Sequence, residues 1–574
     1  MNRIFSTLVG IIWLTAAAAQ DKYEISKPLN LPERGVNKVL CMKNGNTVLL
    51  HLDILKPITV KIFDSTHKLT GTKELHTRLL NTSLLQTTSF KGLFEINNEA
   101  VLFVEQDHLS KRQLIRIRFN GKSGTLVQEE EVAQSPGIAK HSYFVVLKEK
   151  HRNDYAVLCS TDAPQYQTCD VHVKYFDDLH QLTGDVPVNV DRKPYDYMHI
   201  VGAERLPGGI CISVGLSKLR VNGDPTLRVL EASAAPSTVN GHAVGLVENG
   251  RTATTLDAAA TYDNYLSVYY LPDDKKNILS QTIDVSPNVF PFYSSCTYNP
   301  FAGNINLLTL SYRDAIYRYG LQLLPTAITQ NLFYKMDEHT LYPGYTPIEN
   351  SKATLAKNSN GTTDAYQGLP IQYLTNENGL STMVSQSYDR YNAIESKGRP
   401  YVFETYLGGI AVTQFDDDGR ELWGTVLPLS QYYKSYRHYY QPFQLGKRSQ
   451  DLALFNDMPP QVFERQFVSA NTYTHGKDLY VVYNDIDKNF GDNTPGHHAD
   501  TIYKYDDANA CYYKITPKKE VTKHYVFGTP ARNECKSSMV EGADFDEQRG
   551  VYASVIQYKR GDNTSLKMAW RTLE

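Results

Sequence analysis

A short cassette recurs along the chain: an alternating apolar strand ends in an aromatic residue and runs at once into an acidic or Asn-containing turn. It reads Val60-Lys61-Ile62-Phe63-Asp64-Ser65, then Ile115-Arg116-Ile117-Arg118-Phe119-Asn120-Gly121, then Val171-His172-Val173-Lys174-Tyr175-Phe176-Asp177-Asp178. Later copies are Ile410-Ala411-Val412-Thr413-Gln414-Phe415-Asp416-Asp417-Asp418-Gly419 and Thr501-Ile502-Tyr503-Lys504-Tyr505-Asp506-Asp507. Phe63, Phe119 and Phe176 lie 56 and 57 residues apart. A fixed period in this range, with every unit built from strands, is the signature of a radially repeated sheet. The expected fold is all-β: a single β-propeller of about seven four-stranded blades, with six or eight as the bounds.

Around each cassette the order is consistent. A run such as Thr47-Val48-Leu49-Leu50-His51-Leu52, Ala100-Val101-Leu102-Phe103-Val104 or Leu479-Tyr480-Val481-Val482-Tyr483 comes first, then a polar turn, then the cassette. β-Branched and aromatic residues in runs of this length, bounded by Gly, Asn, Asp and Pro, are strand signals, and sustained helical periodicity is absent. Two stretches break the pattern: 232–260, rich in Ala, Ser, Thr and Gly, and 337–379, with scattered Pro, Asn and Gly. Both are expected to be irregular insertions of the kind that carry function or move. The run Ser565-Leu566-Lys567-Met568-Ala569-Trp570 reads as a last strand that closes the ring against amino-terminal residues.

Arg3 precedes an apolar stretch from Leu8 to Leu14, and Ala17-Ala18-Ala19 supplies small residues for cleavage. This is the pattern of a secretory signal, 1–19, leaving 20–574 as the mature domain. With no later spanning segment, the chain is expected to be exported, to the periplasm, the outer surface or the exterior. A net charge of -3 argues against nucleic acid, which calls for a basic face. The chain holds 40 Tyr against 3 Trp, a balance that suits half-buried strands and recognition surfaces alike. Seven Cys in an oxidising compartment suggest bridges. Cys159 with Cys169, and Cys511 with Cys535, are the candidate pairs, whereas Cys41, Cys211 and Cys296 sit in apolar strands and read as buried thiols.

Gly419-Arg420-Glu421-Leu422-Trp423, after its acidic turn, resembles the repeat of pyrroloquinoline-quinone-type propellers, in which Trp docks between blades. The resemblance covers one repeat; no Trp follows Phe63, Phe119 or Phe176 in the same way. Taken whole, the chain is similar to the exported, Tyr-rich propellers of Bacteroidetes-like bacteria, whose roles are mostly unassigned.

Two constellations could carry chemistry. In Asp485-Ile486-Asp487-Lys488-Asn489 the oxygen side chains fall at alternate positions, as in calcium loops, so Asp485, Asp487 and Asn489 are the metal candidates and Ca²⁺ the cofactor they suggest. The competing reading is a capped polar turn. Downstream, His497, His498 and Asp500 read as loop residues, since adjacent His on an extended segment face opposite ways. The second constellation, Tyr432-Tyr433-Lys434-Ser435-Tyr436-Arg437-His438-Tyr439-Tyr440, offers stacking faces with charged donors. Tyr432, Tyr433, Tyr436, Arg437, Tyr439 and Tyr440 are its ligand-binding candidates, against a reading in which the rings pack between blades. No G-x-S-x-G, H-E-x-x-H or P-loop is present. The leading expectation is a non-catalytic binding or scaffolding propeller with a protein or glycan ligand at one face of the ring. The alternative is a carbohydrate-active hydrolase or lyase using paired carboxylates in the central cleft.

Overall fold

The computed structural model describes residues 23–573 except 33, 109–110, 136–140, 150, 163–169, 191–194, 196, 220–236, 240–241, 245–261, 285–288, 300–303, 314–327, 338–342, 349–351, 354–365, 367–368, 376–379, 394–401, 417–418, 436–462 and 492–498. The expected signal segment 1–19 lies outside them.

The strands form antiparallel sheets, each built from consecutive runs of chain. Blade 1 comprises Val36–Cys41, Thr47–Leu52, Ile58–Phe63 and Leu69–Leu75; blade 2 comprises Thr88–Ile96, Glu99–His108, Lys111–Asn120 and Leu126–Ser135. Blade 3 runs from His141–Leu147 to Leu182–Val188, blade 4 from Tyr197–Leu206 to Leu279–Asp284, and blade 5 from Val289–Asn299 to Pro343–Ile348. Blade 6 spans Leu369–Thr375 to Glu421–Leu427, with Gln431–Ser435 pairing the first half of its long third strand. Blade 7 spans Ala470–His475 to Val521–Tyr525. In blade 8 the innermost strand is broken into Glu534–Ser538 and Asp544–Asp546, followed by Val551–Arg560 and Asn563–Thr572. Among the described residues the sheets of four or five strands thus reach the upper end of the expected range. First strands are largely buried and fourth strands largely exposed, as Leu69–Leu75 and Leu182–Val188 show, so each blade runs from the axis outwards.

Each blade face packs on the next through its own apolar cluster. Val60 and Ile62 of blade 1 meet Leu102 and Ile117 of blade 2, and Phe103 of blade 2 meets Tyr155 of blade 3. Similar clusters follow around the ring to Tyr480 and Tyr552 between blades 7 and 8. The last cluster joins Trp570 and Met568 of blade 8 to Leu49 and Phe63 of blade 1. Every interface therefore removes apolar surface from water on both sheets, the dominant favourable term in such a fold.

The ring is closed by the amino terminus. Tyr23–Ile25 forms the outermost strand of blade 8, pairing Tyr23 with Arg571 and Ile25 with Ala569, and the expected closing role of the last strand is what the structure shows. Segment 337–379 is less of an insertion than its composition suggests, because Pro343–Ile348 and Leu369–Thr375 are blade strands. Segment 232–260 interrupts blade 4 between its second and third strands and carries the short hairpin Ser237–Val239 with His242–Val244.

The cassette has a structural meaning. At Phe63, Phe119, Phe176 and Phe415 the ladder to the fourth strand slips by one residue, and each ring is buried. The next residue then caps the turn: Asp64 Oδ1 accepts Thr66 N and Lys68 N, Asp177 Oδ1 accepts Leu179 N and Gln181 N, and Asp416 Oδ1 accepts Arg420 N. Three residues beyond the acid the chain turns left-handed, at His67, His180 and Gly419. Such bulges increase local twist and re-aim the chain into a tight hairpin. The Thr501–Asp507 copy is the exception. Ile502 makes an isolated parallel bridge to Gln431, and Tyr505 opens a 3₁₀ turn, so this stretch precedes the third strand of blade 7. The turn that plays the cassette role there is Thr516, whose Oγ1 accepts Glu520 N with Lys519 left-handed.

Buried amides clip the last blades together. Gln431 Oε1 accepts Ser469 N, and Asn484 Oδ1 accepts Ser538 N while its Nδ2 donates to Phe467 O and Ser538 O. Gln466, ahead of blade 7, accepts Asn37 N at 2.7 Å and donates to Gly35 O at 2.9 Å. No helix among the described residues is long and apolar enough to cross a membrane. Gln466→Ala would leave two buried backbone groups of blade 1 unpaired, and urea unfolding should show a loss of about 3 kcal/mol.

Candidate functional site

Around the axis the innermost strands of blades 1, 2, 6, 7 and 8 and the loop after the first strand of blade 3 enclose a cleft of about 360 Å³. Phe90, Phe94 and Tyr473 supply its aromatic walls. Strand alternation explains the acidic side. Phe545 turns into the cluster between blades 7 and 8, which places Asp544 and Asp546 on the opposite face of the same short strand. Asp544 Oδ2 accepts Cys41 N at 2.8 Å across the seam between blades 8 and 1. Asp546 caps the following turn through Gln548 N and Arg549 N and pairs with the Arg549 guanidinium.

Facing them is Glu95, half-buried at the end of the first strand of blade 2, whose Oε2 accepts Lys43 N at 2.6 Å. Burial pushes the Glu95 carboxyl above its ordinary value; the charge of Asp546 adds to this, against the pull of the Lys43 N–H and the Lys43 and Lys148 ammonium groups. Glu95 is thus a carboxyl biased toward holding its proton, with a second carboxylate in its field. Tyr473 receives Asn471 Nδ2 at 3.2 Å, and burial drives its phenol far up, so it acts as a neutral hydroxyl.

One side of the cleft is closed by an ion triad. The 3₁₀ turn Val540–Gly542 breaks the inner strand of blade 8 and carries Glu541, which binds Lys38 Nζ at 3.1 Å and Arg465 Nε at 2.9 Å. Burial opposes the charge of Glu541, yet the Arg465 guanidinium and the Lys38 ammonium outweigh it and hold the carboxyl at about 2. Gly542 fits here because a Cβ would meet Asn37 O at 2.1 Å.

The Asp485 loop holds a cation of its own chain. Lys523, on the fourth strand of blade 7, donates from Nζ to Asp485 Oδ2 at 2.8 Å and to Asn489 O at 2.9 Å, and its side chain is fully buried. Asn489 Nδ2 donates to Asp485 Oδ1, while Asp487 instead accepts from Asn509 Nδ2 and Tyr525 Oη. Asp485 and Asn489 converge, and Asp487 faces away. A calcium ion would need the place and the partners of the Lys523 ammonium, so the donor set fits the ammonium. Asp500 pairs with Lys488, and His497 and His498 lie outside the described residues.

Of the Tyr-rich segment, Tyr433, opposite Thr405 of blade 6, is buried in the cluster that holds Leu407, Phe467 and Tyr505. Tyr432 makes tilted ring contacts with Tyr406 and Tyr503 while donating to Glu404 Oε1. Tyr436, Arg437, Tyr439 and Tyr440 lie outside the described residues. Tyr503 is 63% exposed, so the three rings present an open aromatic face. Cys511 and Cys535 are free thiols: Cys511 is buried between blades 6 and 7, whereas Cys535 stands on blade 8. Cys169, the proposed partner of Cys159, lies outside the described residues. Sequence reasoning did not single out Glu95, Asp544 or Asp546. The one local signal was the alternation Asp544-Phe545-Asp546, which puts two carboxylates on one strand face.

No protein-family model and no curated protein matches the chain. Among solved structures it is similar to the quinohemoprotein alcohol dehydrogenase ADHIIG from Pseudomonas putida HK5, at 9% identity over 96% of this chain and 76% of that one, with a TM-score of 0.40. It is similar to a PL25 ulvan lyase at 9% identity over 88% and 94%, TM-score 0.37, and to the polysaccharide lyase Uly1 at 9% over 96% and 100%, TM-score 0.36.

Two outcomes follow from the charges. Because Glu541 is held at about 2, below its ordinary 4.5, its contribution to stability is complete above about pH 5 and is lost as pH falls towards 2. Denaturation followed against pH should show this limb, on the order of 3 kcal/mol, flattened in Glu541→Gln. Lys523→Met should cost about 3–5 kcal/mol by stranding Asp485, whereas Ca²⁺ or EDTA should leave the wild-type melting temperature unchanged.

Proposed function

We propose that this propeller is a carbohydrate-active hydrolase that takes a neutral glycan into the axial cleft, with Glu95 as its proton donor. The observation that carries the reading is Glu95 itself: a half-buried carboxyl with raised proton affinity, in the field of Asp546, in a cleft walled by aromatic rings. Paired carboxyl groups in unlike environments divide acid and base work in this way. Glu95 would give its proton to the glycosidic oxygen as that bond breaks. A water molecule, losing its proton to the carboxylate of Asp546, would add to the sugar carbon. Phe90, Phe94 and Tyr473 would stack on sugar faces.

Hydrolysis is chosen over elimination because the cleft opposes a proton-holding carboxyl to a second carboxylate. Of the nearby cations, Lys38 is paired with Glu541, whereas Lys43 and Lys148 keep their charge on neutral oxygens. The second reading is a binding or scaffolding propeller with a glycan or protein partner. The engagement of Asp546 by Arg549 and its own turn favours it, as does the open face of Tyr406, Tyr432 and Tyr503. Either role would be exercised outside the cytoplasm if 1–19 directs export.

Reducing-end release from a panel of neutral glycans tests the reading. Glu95→Gln should lower kcat by about 10²–10⁴-fold with no change in melting temperature. Since the acid must be protonated, the wild-type rate should fall as pH rises through the Glu95 pKa. Turnover undiminished in Glu95→Gln would remove the assignment. Glycan binding without turnover in either protein would favour the binding role.

A further inference from the structure

Blades 4 and 5 meet tightly at one polar and sulfur-lined point. Gly202, on the innermost strand of blade 4, has no room for a side chain: a Cβ there would meet Ser294 Oγ at 2.2 Å and Ser294 O at 2.5 Å on the innermost strand of blade 5. Beside this contact, Cys211 of the second strand of blade 4 faces Cys296 of blade 5, with Sγ atoms 3.1 Å apart. Both are free thiols in the structure, buried at 0% and 6% exposure within the apolar cluster that joins the two blades. They are 85 residues apart in sequence, and each reads on its own as an inert buried thiol.

We infer that Cys211 and Cys296 form a disulfide that ties blade 4 to blade 5 when the chain folds in an oxidising environment. The sulfur atoms need to approach by only about 1 Å to reach bonding distance, a displacement within reach of small side-chain rotations. The oxidant would be a disulfide of the thiol-exchange class, either a protein catalyst or a low-molecular-weight disulfide. One cysteine thiolate attacks the oxidant's disulfide, forming a mixed disulfide and releasing one thiol. The second cysteine thiolate then attacks the protein sulfur of that mixed disulfide, forming the protein bond and releasing the other thiol. Two electrons and two protons leave the cysteines, and the oxidant is reduced to two thiols. Burial sets the timing. Once the blades have closed, exchange partners cannot reach either sulfur, and the hydrogen bond to Cys211, together with desolvation, holds the Cys296 thiol well above its ordinary value. The bond therefore forms before closure, and in the folded ring it is sealed from reductants.

Peptide mapping of the full chain, secreted into oxidising medium, tests this. The protein is denatured with iodoacetamide and no reductant, then digested. The expected result is a cross-linked pair of peptides carrying Cys211 and Cys296, lighter than the two thiol peptides by two hydrogens. Dithiothreitol on the native protein should leave the pair intact, and the same treatment in denaturant should break it. Melting of denatured, reduced and refolded protein should lie lower by about 3 °C, a shift absent from Cys211→Ala/Cys296→Ala. Quantitative alkylation of both cysteines without prior reduction would overturn the inference, as would either being joined to a different cysteine.

Discussion

The pairing of Tyr23–Ile25 with the last strand is the contact on which the ring depends. A propeller blade is a four-stranded sheet with both faces apolar, and it is stable only between two neighbours. Every blade has two, except that the first and last have each other only if the chain ends meet. Backbone bonds continue the pairing beyond the strand, from Ser26 N to Met568 O and from Leu29 N to Leu566 O. Side chains then lock the seam. Trp570 donates its indole N–H to Thr47 Oγ1, meets Phe63 edge-on and stacks on His67, whose Nδ1 lies 3.0 Å from Glu24 Oε2. His67 is the left-handed residue of the first cassette turn, so one local device shapes blade 1 and also grips blade 8.

The cleft inherits this dependence. Lys38 with Glu541 and Cys41 with Asp544 bridge the same seam, so the acidic wall is in register with blade 1 only while the ring is shut. The buried ions there are not an obvious source of stability, because desolvating two or three charges offsets much of their attraction. What they do fix is position. With Lys38 on one side and Arg465 on the other, the turn Val540–Gly542 has one seat, and Asp544 and Asp546 follow it within a few residues.

How much of this the amino-acid order reveals depends on range. The cassette is legible because its physics is local: an aromatic that fills the bulge, an acceptor that caps the next two or three N–H groups, and a residue that tolerates positive φ. Where blade 7 substitutes Thr516 for the acid, the same geometry persists with a weaker acceptor, and the eye is drawn instead to Tyr505-Asp506-Asp507, which lacks the flanking ladder. The Asp485 loop shows the complementary case. Asp485 and the Asn489 carbonyl hold the Lys523 ammonium, which arrives from two strands away and is invisible to spacing, while Asp487 turns to Asn509 and Tyr525. Glu95 is a stronger example. Nothing in Leu93-Phe94-Glu95 marks it; its raised proton affinity comes first from burial between blades, and Asp546, 451 positions later, adds to it once closure brings the two opposite.

The two ends of the axis differ for a related reason. On the side of blades 1, 7 and 8, the turn at 463–469 fills the mouth: Gln466 clips Asn37, its carbonyl accepts Glu541 N, and Phe467 and Val468 pack into the seam cluster. These described groups bond to one another across the seam. At the other end of the same strands stand Glu95, Asp544 and Asp546, each with oxygens shared between a turn or backbone N–H and the cleft. A propeller with identical blades would have two equivalent mouths. Here the broken inner strand of blade 8 and the turn at 463–469 make them unequal, with Glu95, Asp544 and Asp546 gathered at one of them.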